Sequence, residues 1–135
     1  MKITFIDAGV LIAAFRGSTD LAHRALRVLD DPGRSFASSP FVRLEVLPKA
    51  LFHGRTEEVS FYEGYFRSVD HWVEPGAILV ESALSLAQER GLSALDALHG
   101  AAALAANAAE LITTERRSRP IHRLTQIKVT TIDSE

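Results

Sequence analysis

The sequence predicts a three-layer α/β/α sandwich built on a mainly parallel central sheet. Short apolar runs alternate with longer stretches of helical periodicity, the pattern of strands separated by crossover helices. Parallel neighbours need such crossovers, and these are almost always right-handed. Helix-start signals also stand directly behind the first two strand-like runs, at Asp7 and at Ser39-Pro40.

Taken in order, Ile3, Phe5 and Ile6 form a short buried strand that Asp7 closes, ahead of a helix holding Val10, Leu11, Ala14 and Phe15. Thr19 or Asp20 can cap a second helix through Leu29, with Leu21, Ala25, Val28 and Leu29 on one face; Asp31-Pro32-Gly33 ends it in a turn. Ser35 to Ser38 is the second strand. Ser39 and Pro40 start a third helix that contains Glu45, and Pro48 is expected to kink or divide it. Thr56 begins a fourth helix with Val59, Tyr62, Phe66 and Val69 at helical spacing, and His71-Trp72-Val73 is a third strand. Pro75 opens a long helix with Leu79, Ala83, Leu84 and Ala87 inward, stopped by Gly91 as a left-handed cap residue. Ser93 starts an alanine-rich helix expected to run to about Ala109. Leu111 to Thr113 is the fourth strand, and Ile127 to Ile132 alternates as an edge strand.

The length of 135 residues and an apolar content of 47% fit a single domain over residues 1–135 with one core. With no cysteine, disulfides, thiolate zinc sites and cysteine nucleophiles are excluded, so any metal must be held by oxygen or imidazole. The apolar run at the N-terminus is broken by Asp7 too early for a signal peptide or a membrane span, which predicts a cytoplasmic address and no membrane partner. A net charge of −2 is unlike that of strongly basic nucleic-acid binders, so RNA would be met through a local basic patch. Arg116, Arg117, Arg119, His122 and Arg123 supply one; the competing reading is a solvated loop. Phe52, Phe61, Tyr62, Tyr65 and Phe66 form an aromatic group, available for core packing, for a partner helix or for a second subunit.

Four acids carry the candidate chemistry. Asp7 directly follows the first strand, Glu115 almost directly follows the fourth, Asp96 lies in the first turn of a helix, and Glu45 lies in the helix after the second strand. Ligands of parallel sheets sit outside the carboxyl ends of the strands. Carboxylates converging there would repel one another unless a cation compensated, and Mg²⁺ or Mn²⁺ prefers such oxygen donors. That combination serves phosphodiester hydrolysis by metal-activated water, with no serine or histidine nucleophile.

Each acid also has a purely structural reading. Asp7 can cap the helix behind it, and Ser93 with Asp96 matches a capping box. Glu45 can pair with Lys49 one turn on, worth about 0.2–0.5 kcal/mol, while Glu115 opens a charged loop. Two other acid-bearing α/β folds fit poorly. A haloacid-dehalogenase-like phosphatase needs a second Asp where Gly9 stands, and a receiver domain needs an acid pair near the first strand.

Together, Phe5-Ile6-Asp7 with Val10-Leu11-Ile12, Pro40-Phe41-Val42-Arg43-Leu44-Glu45-Val46, Leu92-Ser93-Ala94-Leu95-Asp96-Ala97-Leu98-His99 and Leu111-Ile112-Thr113-Thr114-Glu115 resemble the PIN-domain family over nearly the whole chain. The third segment is the most specific. The resemblance, closest to the toxin halves of VapBC-type toxin–antitoxin pairs, implies a Mg²⁺- or Mn²⁺-dependent endoribonuclease with an antitoxin partner and a homodimeric state. It implies Asp7 and Asp96 as principal metal ligands, Glu45 as a ligand directly or through water, Glu115 as the fourth catalytic acid and Thr113 as a supporting hydroxyl. Arg116, Arg117 and Arg119 would meet RNA phosphates. His99 falls at a frequent family residue and is read as packed and hydrogen-bonded rather than catalytic.

The chain departs from the family in carrying Glu115 where Asp is usual, and Ala8-Gly9 where a hydroxyl or amide pair is usual. The alternative reading is therefore a catalytically weakened member that acts as an RNA- or protein-binding module.

Overall fold

The computed structural model describes residues 1–134. Along the chain run β1 (Lys2–Ile6), α1 (Ala8–Arg16), α2 (Thr19–Leu29), β2 (Arg34–Ser38), α3 (Pro40–Phe52), α4 (Thr56–Ser68), β3 (His71–Trp72), α5 (Ala77–Arg90), α6 (Ala94–Ala105), β4 (Glu110–Thr113), a 3₁₀ turn at Pro120–Arg123, and β5 (Lys128–Thr131). The strands form one five-stranded sheet in the order β3-β2-β1-β4-β5, with each neighbouring pair parallel. The strand order reverses about β1, so the crevice between the carboxyl ends of β1 and β4 is where such a sheet binds ligands.

Residues paired in register share a face of the sheet. Thr4, Phe36 and Glu110 lie on one face, and Phe5, Ala37 and Leu111 on the other. Phe36 meets Tyr65 of α4 at 5.8 Å between ring centroids, while Phe5 meets His99 of α6 at 5.9 Å. The sheet is thus covered on both sides, the predicted three-layer sandwich. Phe5, Ile6, Leu11, Leu111 and Ile112 are fully buried at its centre, where each such side chain contributes about 1.5–3 kcal/mol.

At the amino end of the β1–β4 seam, the buried Glu110 carboxylate accepts from the Thr4 hydroxyl at 2.9 Å and from Arg34 Nε at 3.0 Å. Lys2 stands 3.7 Å away. The carboxylate is therefore hydrogen-bonded and charge-compensated, as a buried ion must be.

Several local expectations are corrected. Pro48 does not divide α3, which continues to Phe52. The carbonyl that proline leaves without a helical partner belongs to Leu44, and Leu44 and Pro48 are both exposed residues, on the side of the helix where solvent can replace a lost bond. Pro48→Ala should restore that bond and stabilise the protein by about 1–3 kcal/mol, measured by urea denaturation; an unchanged midpoint would show the helix pays nothing for the proline.

The α6 helix stops at Ala105 rather than near Ala109, because Asn107 adopts φ 54°. Asn107 N–H donates to the Leu104 carbonyl and Ala108 N–H to that of Ala103, both at 3.0 Å, which closes the helix end. In α5, Gly76 rather than Pro75 is the N-cap, Leu79, Ala83 and Leu86 face the core, and Leu84 is 55% exposed. Gly91 at φ 64° ends that helix as expected. Ser18 occupies the N-cap position of α2, and the Thr19 side chain lies outside the described residues. Within the aromatic group, Tyr62 and Tyr65 are core residues and Phe52 is 85% exposed. Among the described residues no helix is long and apolar enough to cross a membrane.

Candidate active site

The end of β1 delivers Asp7 to the crevice beside β4. Its backbone N–H continues the ladder to the Ile112 carbonyl at 3.1 Å, and its side chain then leaves the strand. Asp7 Oδ1 accepts from Gly9 N–H at 2.8 Å, capping α1, and Oδ2 accepts from the Thr113 hydroxyl at 2.6 Å. Capping and a functional role are compatible, since these bonds hold the carboxylate in one orientation. Thr113, fully buried at the end of β4, also accepts from Glu115 N–H at 3.0 Å. The hydroxyl thereby ties the first acid to the backbone of the fourth.

Gly9 explains why no side chain accompanies Asp7 there. A Cβ on Gly9 would stand 2.3 Å from Thr114 Oγ1. The hydroxyl of Thr114 fills the space that a residue with a side chain would need.

Asp96 sits in the first turn of α6, where Ser93 Oγ accepts its N–H at 3.3 Å, so the predicted N-cap is present. Three residues on, His99 presents its ring to Glu45 of α3, and Nε2 is hydrogen-bonded to Glu45 Oε1. This contact, rather than the alternative pairing with Lys49, engages the Glu45 carboxylate. His99 is 4% exposed, and its Nδ1 is buried without a partner.

The electrostatics link these groups. Burial raises the pKa of Asp7 above its ordinary value; Thr113, His99 and Gly9 oppose the rise, and the charge of Glu45 adds to it. Asp96 is raised as well, first by burial and then by Glu115 and Glu45, with His99 and Ser93 opposing. Asp7, Glu45 and Asp96 are therefore linked electrostatically, each also interacting with His99, and Glu115 joins them through Asp96. They do not form a closed ligand shell: among the described residues no three Asp, Glu or His side chains converge at metal-holding spacing.

Glu115 is exposed, and Arg119 Nε lies 3.4 Å from its carboxylate. Arg116 Nε stands 3.7 Å from Asp133, and Arg117 is exposed beside it. Arg116, Arg117 and Arg119 thus flank the fourth acid as a basic rim. His122 and Arg123 serve the backbone instead. His122 Nε2 bonds the Glu115 carbonyl at 2.8 Å, and Arg123 Nη1 donates to the carbonyls of Arg90 and Gly91, both at 3.1 Å. Sequence reasoning missed the bond from His99 to Glu45 and the fit of Gly9 to Thr114.

Several solved structures share this architecture. A chain of VapBC2 from Rickettsia felis, bound to a DNA fragment from its promoter, matches with a TM-score of 0.71 at 14% identity, covering 97% of this chain and 99% of that one. DNA-bound VapBC from Salmonella typhimurium matches at 0.68 and 12%, covering 97% and 98%. A toxin–antitoxin complex from Klebsiella pneumoniae matches at 0.64 and 22%, covering 83% and 86%. At such identities the likeness is one of fold. No curated protein matches the chain. The sequence profile of the PIN domain matches residues 4–124, from Thr4 within β1 to Leu124 at the end of the 3₁₀ turn before β5, and on that match the chain belongs to the PIN domain family.

Proposed function

We propose that this protein is a Mg²⁺- or Mn²⁺-dependent endoribonuclease and the toxin half of a toxin–antitoxin pair. The observation that carries the reading is the pair Asp7 and Asp96, both partly buried and both raised in pKa, chiefly by burial, with Glu45 beside both of them and Glu115 beside Asp96 adding to the rise against His99. Acids destabilised in this way are the arrangement a hard divalent ion relieves. The donor set fits such an ion: all four acids offer oxygen, and Mg²⁺ is commonly bound through one or two carboxylates while keeping several waters. Asp7 and Asp96 would be the principal ligands, with Glu45 reached directly or through water.

The bound ion would supply a water of lowered pKa as the attacking group. The chain's own residues do the rest. Thr113 and Gly9 hold the Asp7 carboxylate fixed, as the orientation of a metal ligand requires. Arg116, Arg117 and Arg119 would draw the RNA backbone to the rim by charge-assisted contacts with phosphate, which position the strand without reading its sequence.

The partners follow the same reading. The similar solved structures are named as VapBC or toxin–antitoxin complexes, which supports an antitoxin partner. Exposed Leu44, Leu51 and Phe52 on α3 offer apolar surface for it or for a second copy in a homodimer. A single-domain, cytoplasmic protein is part of the proposal.

The test is cleavage of a labelled RNA. Wild type should cut with Mg²⁺ or Mn²⁺, stop in EDTA, and lose more than about 100-fold in Asp96→Asn, because even groups that only orient metal ligands carry about 10–100-fold. Equal cleavage in all samples would mean a contaminating nuclease and sink the proposal. One feature favours the alternative of a binding module: the Glu115 carboxylate is drawn toward Arg119. That alternative predicts RNA or protein binding with no cleavage in any metal. Toxicity is tested separately, as growth arrest on expression that is relieved by co-expressing a small protein encoded beside this gene.

A further inference from the structure

We propose that His99 is the positioning residue of Glu45: a buried imidazole on α6 that reaches across to α3 and holds the third acid beside Asp96. The proposal deepens the nuclease reading and rests on it for its functional consequence. The contact itself is a property of the protein without metal.

Glu45 lies on an exposed stretch of α3 together with Arg43 and Leu44. A glutamate there has several freely rotating torsions, and Lys49 one turn on offers it a partner at the surface. Its carboxylate instead bonds the imidazole, and its side chain is only 31% exposed. Among the described residues, the imidazole is the side-chain partner found for this carboxylate.

The imidazole is well suited to the task because little else can move it. Its ring packs on Phe5 of the central strand, and its side chain is 5% exposed. A carboxylate accepts, so the bond needs the proton on Nε2, and among the described residues Nδ1 has no hydrogen-bond partner that would compete with it. His99 also follows Asp96 by three positions, which places the two on the same face of α6. The bond therefore brings an acid from a different helix to the face that already carries Asp96. The influence of Glu45 on both Asp7 and Asp96 agrees with that placement. Metal-ligating and near-ligating carboxylates typically depend on such outer partners for their orientation.

Two measurements test the proposal. In the metal-free protein, long-range ¹H–¹⁵N spectra of the imidazole should show the proton on Nε2, and Glu45→Gln, a change at an exposed helix position, should shift that nitrogen. An unshifted Nε2 would overturn the contact. The second compares His99→Gln with His99→Asn. The glutamine amide nitrogen falls near the position of Nε2, whereas the asparagine amide falls near Nδ1, out of reach of Glu45. Calorimetric titration with Mn²⁺ should show the Gln variant within about 3-fold of wild type and the Asn variant weakened about 10–100-fold, with kcat falling more than KM changes. Equal Mn²⁺ affinity in the two variants would overturn the proposal, as would equal weakening in two variants with native melting temperatures. Should wild type bind no Mn²⁺, the nuclease reading fails, and the imidazole spectra alone decide whether His99 holds Glu45.

Discussion

Asp7→Asn should abolish RNA cleavage while making the metal-free protein more stable at neutral pH. The first effect follows from removing the charge of a proposed principal ligand, and a loss beyond about 100-fold is expected. The second follows from the direction of the pKa shift. Asp7 is raised above its ordinary value of 3.8, chiefly by burial. A carboxyl raised on folding contributes stability that is fully present below the unfolded value and lost as pH rises through the folded one. Ionised Asp7 is thus a burden at pH 7, and Asn removes it while its side-chain oxygen can still accept from Gly9. Thermal melts without metal should place Asp7→Asn above wild type at pH 7, by about 4 °C if the relief is ~1 kcal/mol. The two curves should converge as pH falls toward 3.8. A variant less stable than wild type at neutral pH would show that the bond to Thr113 outweighs desolvation.

Divalent metal should reverse this ranking. An ion that binds only the folded protein stabilises it by mass action, by about 2.7 kcal/mol at 100 times its Kd. For a domain of this size that corresponds to roughly 10 °C. Wild type should gain this much with Mn²⁺, and Asp7→Asn should gain almost none. The gain should also grow from acidic to neutral pH, because protons compete for the same carboxylates, and Asp96 is raised as well as Asp7. A melting temperature unmoved by Mn²⁺ at neutral pH would count directly against the metal site.

The parts of this site legible in the sequence were those with a local signature. Asp7 and Glu115 follow strands, Asp96 follows a helix cap, and Glu45 lies in a helix that Ser39-Pro40 announces. A side chain held by a residue 54 positions away leaves no such mark, which is why the sequence offers Lys49 as the structural partner of Glu45 and names no partner for a packed, hydrogen-bonded His99. The same limit explains the local errors. Pro48 is expected to kink or divide α3 because a proline removes a helical bond; α3 runs on undivided, and Leu44, whose carbonyl loses its helical partner, is an exposed residue. Alanine favours helix so evenly that the run from Ala101 to Ala109 carries one stop signal, Asn107, and that residue ends α6. In α5, three of the four expected inward residues face or border the core. Leu84 does not, because Leu86 completes the buried stripe after Leu79 and Ala83.

The seam between β1 and β4 is fastened at both ends, by Thr4 on Glu110 and by Thr113 on Asp7. A slip of one residue would turn each of these side chains to the opposite side of the sheet. Glu110 would then lose its donors, and Asp7 would lose the hydroxyl that aims it. Misaligned chains would carry the fault at both clasps at once, so a molecule in which the strands have zipped wrongly would be unstable and, on the proposed chemistry, inactive.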